Sequence, residues 1–163
     1  VDVIVNSTNC DLDLKNGRVS ASILKHGGNK IQLELDKDYP RRLPYGEMAI
    51  SMPGKLQCKM ICHAALLEYW IPDENFSLKV LRALMIRCLQ ISDKKGYRSI
   101  AFPALGTGKL GYPWCQVART MYDVVDEYEK RRTDRNLQKV FFTIHYTDVK
   151  TLEVNNIYRN PES

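Results

Sequence analysis

The sequence contains no uninterrupted apolar run approaching the roughly 20 residues that a membrane helix needs, so a helical span and a membrane partner are not expected. Its first residues show no basic stretch followed by an apolar one, the pattern of a secretory signal. Internal repeats and low-complexity segments are missing. Cysteine is sparse, with five among 163 residues, and the number is odd. Cys58 and Cys62 are separated by three residues, but no second pair or nearby histidine completes a zinc pattern, and no metal is expected. Reduced thiols, as in a nuclear or cytosolic protein, fit this usage better than a disulfide framework. A strong charge imbalance is also lacking. The formal net charge of +5 suits an anionic ligand and equally a merely solvated surface. Nowhere do basic and aromatic residues interleave as in an RNA-binding motif.

What is present is ordinary in amount and ordered in pattern. The length fits one domain with a sizeable core. Apolar residues make up 44% and charged residues 26%, as in globular proteins generally. "VDVIVN" (Val1–Asn6) is a β-branched run that predicts a buried strand. This abrupt start points to a piece excised from a longer chain. Apolar residues at helical spacing follow from Ser20 to about Asp36, interrupted at His26-Gly27-Gly28. "EMAISM" (47–52) and "KMICHAA" (59–65) predict strands joined by the turn "PGKL". "YWIPDENF" predicts a loop, after which Ser77 is expected to cap a helix with Leu78, Leu81, Leu84, Met85, Cys88 and Leu89 on one face. "RSIAFPAL" (98–105) predicts a strand. A helix from about Trp114 to Lys130 carries Val117, Ala118, Met121, Val125 and Tyr128. "KVFFTIHY" (139–146) predicts a last strand, and "VKTLEVNNIY" a short helix. Such alternation implies an α/β layer architecture with a largely parallel sheet. Its ligands bind beyond the carboxyl ends of the strands, at a topological switch point.

Two loops occupy that kind of place. "FPALGTGKLGYP" runs from a strand into a helix, and Gly106, Gly108 and Gly111 let backbone approach a ligand closely. Their N–H groups and the following helix start would form an anion cradle. The run matches G-x-G-x-x-G, but the acidic residue that a dinucleotide site needs about 20 positions on is replaced by the helical "EYEKRRTDR". A Walker A loop is excluded by Pro103 and Leu110, which stand where its first glycine and its Ser or Thr belong. On its own this loop supports a ligand site and a bare turn equally. The second loop, "VNSTNCDLDLKNGRVSASIL", also joins a strand end to a helix start. Its carboxamides and hydroxyls both donate and accept, as sugar hydroxyls require. Gly17 with the N–H groups of Arg18, Val19 and Ser20 makes another helix N-terminus. Two such ends would suit a diphosphate flanked by a ribose, although Asn and Ser also serve simply as caps and turn formers.

Taken together, "VDVIVNSTN", the loop to "GRVSASIL", "GEMAISMPGKLQCKMICHA" and "SIAFPALGTGKLGYP" resemble the macrodomain, the ADP-ribose-binding module. The order and spacing match from Val1 to about Tyr146, and most closely the tandem macrodomains of large ADP-ribosyltransferases. The resemblance implies a three-layer α/β/α sandwich around a mixed, largely parallel central sheet. Residues 1–163 would form a single macrodomain that lacks its first strand. It implies that Asn9 lies by the distal ribose and that Gly17, Arg18, Val19 and Ser20 line the first phosphate loop. Pro103, Ala104, Gly106, Thr107, Gly108, Lys109 and Leu110 would wrap the diphosphate from the other side. Tyr146 would pack against adenine. His63 and His145 match strand positions and are read as structural.

Three departures from the family pattern bear on activity. The early strand and the Gly-Asp-Ile-like turn whose aspartate contacts the adenine amine are not in this sequence. Hydrolysing members resemble Gly-Gly-Gly-Val-Asp at the first loop, whereas here Asn16-Gly17-Arg18-Val19-Ser20 puts a serine at the acidic position. Serine is no carboxylate base at neutral pH. An aromatic residue common in the second loop of hydrolysing members is Leu110 here. Asp11 and Asp13 are read as turn and solvation residues. The leading expectation is therefore a non-catalytic, monomeric, nuclear or cytoplasmic binding module. It would take ADP-ribose and ADP-ribosylated proteins, with no catalytic residue and no cofactor. An ADP-ribosyl hydrolase is second, and a nucleic-acid-binding module, from Arg41, Arg42 and the Lys130–Arg132 run, is third.

Overall fold

The computed structural model describes residues 1–69 and 73–143, and its organising element is a central strand packed on both faces. In β1 (Val3–Thr8), Val3 and Val5 join one buried cluster while Ile4 packs against the other. Successive side chains of a strand point to opposite faces, so β1 must be covered on both sides. The other strands are β2 (Met48–Ser51), β3 (Met60–Ala65), β4 (Ser99–Pro103) and β5 (Lys139–Thr143). They lie in the order β2-β3-β1-β4-β5. The pairs β1–β3, β1–β4 and β4–β5 are parallel, and β2 runs antiparallel beside β3.

Helices fill both faces. The first layer is α1 (Arg18–Gly27) and α2 (Lys30–Asp38), which bring Ile23, Ile31 and Leu35 onto Ile61 and Ala49. The second is α3 (Glu74–Lys94) and α4 (Trp114–Arg131), whose Leu81, Leu84, Met85, Val117 and Met121 pack with Val5, Cys62, Ile100 and Phe102. The result is the expected three-layer α/β/α sandwich. The chain leaves β1 for one face and β4 for the other, so the carboxyl ends of these neighbouring strands bound the switch-point crevice.

Most predicted elements stand, with differences at their ends. The break at His26-Gly27-Gly28 separates α1 from α2. A Cβ at Gly27 would lie 2.3 Å from Ile31 Cδ1, so the end of that side chain would have to move to admit one. Helix α3 begins earlier than expected. Asp73, not Ser77, is its N-cap, accepting the Phe76 N–H at Oδ1 (2.8 Å). That cap satisfies an orphan donor of the first turn and draws Glu74–Phe76 into the helix. Ser77 is buried inside it, donating its hydroxyl to the Tyr69 carbonyl (2.5 Å). In α4 Val117, Ala118 and Met121 are buried as expected and Val124 joins them, with Val125 and Tyr128 half-buried. Strand β5 is described to Thr143; residues 144–146 of its predicted span and the short helix read in "VKTLEVNNIY" lie outside the described residues.

Candidate functional site

Strand β1 ends in Asn6-Ser7-Thr8, and the alternation that layers the sheet sends consecutive polar side chains to opposite loops. Ser7 Oγ accepts the Gly106 N–H of the β4–α4 loop (3.4 Å). Asn6, on the other face, accepts the Ser20 hydroxyl of α1 at its Oδ1 (3.0 Å). One strand end thus fixes both sides of the crevice.

The first side is residues 9–20. Asn9 turns its Oδ1 to the Asp11 N–H (3.2 Å), which leaves its Nδ2 without a hydrogen bond among the described residues and available as a donor. Leu12 and Leu14 are buried in the α1–α2 cluster. Gln32 of α2 clasps the loop, accepting the Leu14 N–H and donating to the Leu12 carbonyl, both at 3.0 Å. Asp13 is a turn residue as expected, accepting from the Lys15 N–H and the Asn16 amide. Asp11 pairs with exposed Arg42 at 3.2 Å. Gly17 caps α1 at φ +93°, with no side-chain cap. The first intrahelical bond is from Ala21 N–H to the Gly17 carbonyl, so the Arg18, Val19 and Ser20 N–H groups have no helical acceptor.

The second side is residues 103–113, held from within and from below. The Ala104 carbonyl accepts both the Thr107 N–H (3.3 Å) and hydroxyl (2.7 Å). Gly106 and Gly108 carbonyls accept the Tyr112 and Gly111 N–H groups. The Thr107 carbonyl takes the Trp114 indole N–H (3.3 Å), and the Leu110 carbonyl takes the Tyr69 N–H (2.8 Å). With those carbonyls anchored, the consecutive N–H groups of Gly108, Lys109 and Leu110 donate to nothing among the described residues. Such a run of unpaired donors is an anion nest. Pro103 ends β4 and Ala104 follows it at the start of the loop. Arg18 and Lys109 are exposed, one on each side, and neither makes an ion pair among the described residues. Tyr146, expected against adenine, and His145 lie outside the described residues.

Ser20 departs from expectation. The residue is only 1% exposed and its hydroxyl is given to Asn6, so the side chain does not face the crevice. The reason is the partner beneath: Asn6 Nδ2 meets His63 Nδ1 (3.2 Å), and His63 Nε2 meets Ser51 Oγ (2.9 Å). All of these side chains are essentially without solvent contact. Sequence reasoning read His63 as structural but missed the chain it belongs to. The available signal was polar residues, Asn6, Ser51 and His63, in otherwise apolar strands.

Burial holds the His63 pKa down at about 4, because a charge there would lose its hydration. The unfolded chain titrates near 6.5 and so binds the proton first. Stability is therefore complete above about pH 6.5 and falls as pH drops toward 4, by about 3 kcal/mol in all at roughly 1.4 kcal/mol per unit. Urea unfolding from pH 7 to 4, compared with a His63→Gln variant, should show this slope only in the wild type. An NMR titration midpoint for the His63 ring near 6.5 would contradict it.

The Macro domain family profile matches residues 5–121. Among curated proteins, the human protein mono-ADP-ribosyltransferase PARP14 is 31% identical over 153 residues, covering 93% of this chain and 8% of that protein. The chain thus spans a small part of this relative. The O-acetyl-ADP-ribose deacetylase of Enterobacter sp. is 34% identical over 137 residues, covering 81% of this chain and 73% of the relative. Among solved structures, the Trypanosoma brucei macrodomain in complex with ADP-ribose superposes with a TM-score of 0.78 at 21% identity, over 98% of this chain and 64% of that one. At that identity the likeness concerns the fold alone.

Proposed function

The chain belongs to the Macro domain family, and from that premise we propose that it is a non-catalytic binding module for ADP-ribose and for mono-ADP-ribosylated proteins. The observation that carries the reading is the pair of unpaired N–H runs, Arg18–Ser20 and Gly108–Leu110, at the ends of neighbouring strands. A diphosphate offers the acceptors and the charge that two such runs need. Arg18 and Lys109 add positive potential at the two edges. Asn9 Nδ2 is the donor for the distal ribose, and Gly106 and Thr107 shape the loop around the phosphates. The ligand needs no cofactor, and the bound partner is the modified protein that carries it. We place the chain as one module of a larger nuclear or cytoplasmic ADP-ribosyltransferase, in keeping with its similarity to part of the human relative.

The absence of catalysis rests on carboxylates. Ser20 stands at the acidic position and turns inward. Asp13 is held in its own turn, and Asp11 lies on the surface in an exposed pair with Arg42. The second reading, an ADP-ribosyl hydrolase, is favoured by the similarity to a deacetylase, with exposed Asp11 as the available base.

Calorimetric titration with ADP-ribose, ADP and AMP tests the first reading. Affinity should fall in that order, since AMP gives up one phosphate and the distal ribose, and ADP gives up the ribose. Saturation at 100 times Kd should stabilise the protein by about 2.7 kcal/mol. Failure of ADP-ribose to bind, or AMP binding as tightly, would overturn the proposal. Release of label from an ADP-ribosylated protein, abolished by Asp11→Ala, would replace it with the second reading.

A further inference from the structure

The buried polar chain under the crevice has a direction. Ser20 donates its hydroxyl to Asn6 Oδ1, which leaves Asn6 Nδ2 to donate to His63 Nδ1. His63 Nδ1 must then be the unprotonated nitrogen, and Nε2–H donates to Ser51 Oγ. The chain crosses the sheet from α1 through β1 and β3 to the antiparallel edge strand β2. It is the side-chain hydrogen bonding that ties the first turn of α1 to the sheet, because Gly17 supplies no side-chain cap.

We infer that Ser51, His63, Asn6 and Ser20 are positioning residues for the first anion-binding turn. Their relay sets where the Arg18, Val19 and Ser20 N–H groups stand relative to the second loop, which β1 anchors through Ser7. This rests on the proposed diphosphate site and deepens it. A buried polar group that loses its partner carries the full cost of desolvation, so the relay holds one arrangement and resists rotation of α1. Donors aimed at a fixed anion lose strength steeply when misaligned. The inference also explains why serine is suited to this position. A carboxylate placed here would meet the carbonyl oxygen of Asn6 in a site without solvent.

The test compares wild type, Ser20→Ala, Ser51→Ala and the core control Leu89→Val, which lies in α3 on the opposite face of the sheet. Ser20→Ala keeps the backbone N–H that would touch the ligand, and Ser51→Ala lies two links further away. Calorimetry with ADP-ribose, melting temperature, and the NMR amide shifts of Arg18 and Val19 are recorded for each. Expected are about tenfold weaker binding for Ser20→Ala, about threefold for Ser51→Ala, and displaced Arg18 and Val19 amide signals in both. Leu89→Val should lower the melting temperature while leaving affinity and those signals unchanged. Affinities of both serine variants within twofold of wild type, or an equal loss in Leu89→Val, would overturn the positioning role and leave the binding site standing. Failure of the wild type to bind ADP-ribose would overturn both.

Discussion

Gly108→Val is expected to weaken ADP-ribose binding at least 1,000-fold while leaving the melting temperature within about 2 °C of wild type. A Cβ added at Gly108 meets no atom of the protein within 4 Å, and the residue is exposed. Nor does it belong to the positive-φ glycines, so valine strains no backbone. What valine fills is the space through which a phosphate would reach the Gly108, Lys109 and Leu110 N–H groups. Charge-assisted hydrogen bonds contribute about 1.5–3 kcal/mol each, so losing two of them accounts for the roughly 4 kcal/mol that a 1,000-fold change represents. Gly106, two residues earlier, predicts the opposite phenotype. It has φ +73°, and its Cβ would lie 2.6 Å from the Tyr112 ring. Gly106→Ala should destabilise the fold by about 1–3 kcal/mol through backbone strain and overpacking. Calorimetry and thermal melts on the two variants separate the glycine that meets the ligand from the one that builds the loop. A Gly108→Val protein that still binds ADP-ribose within tenfold of wild type would remove the second loop from the site.

The contrast shows how far the sequence could be read. Both glycines belong to one legible motif, and both loops were placed correctly because hydrophobic periodicity located the strand ends before them. The layers were also legible, since strands alternating with helices imply a largely parallel sheet covered on both faces. What could not be read was the direction of individual side chains. Ser20 sits at a position that the family resemblance makes functional, yet its hydroxyl faces the core. That follows from contacts with Asn6 and His63, 14 and 57 residues apart along the chain from their respective partners. Periodicity sees one element at a time and carries no information about such pairs. Asp73 was missed as the helix cap for a related reason. Both Asp73 and Ser77 are capping types, and only the fold shows that the Tyr69 carbonyl claims the serine.

Asp93→Ala is expected to cost about 3–5 kcal/mol, lowering the melting temperature by roughly 10 °C or more, while leaving ADP-ribose affinity of the folded protein unchanged. Asp93 ends α3 with no solvent exposure. Its Oδ1 accepts the N–H groups of Asn136 (2.7 Å) and Leu137 (2.8 Å). Its Oδ2 accepts the Tyr128 hydroxyl (3.0 Å) and lies 3.5 Å from Arg132 Nη1. The Tyr128 phenol is correspondingly harder to ionise, through burial first and this carboxylate second. Alanine would leave the Asn136 and Leu137 N–H groups and the Tyr128 hydroxyl without their acceptor, at about 1–3 kcal/mol for each buried donor, while Arg132 keeps Glu129 and the Leu137 carbonyl. Sequence offered no sign of this, because an aspartate in "ISDKKG" reads as a solvated helix end. The cluster sits where the chain enters β5, and the parallel partner β4 begins alongside, at Ser99 opposite Lys139. The crevice is at the other end of these strands. Asp93→Ala should therefore lose stability without affinity, as Gly108→Val loses affinity without stability. Chemical denaturation and calorimetry on the same pair of variants measure both axes. If Asp93→Ala weakened ADP-ribose binding under conditions where it is fully folded, the two ends of β4 would be coupled, and the site would extend beyond its two loops into the sheet that carries them.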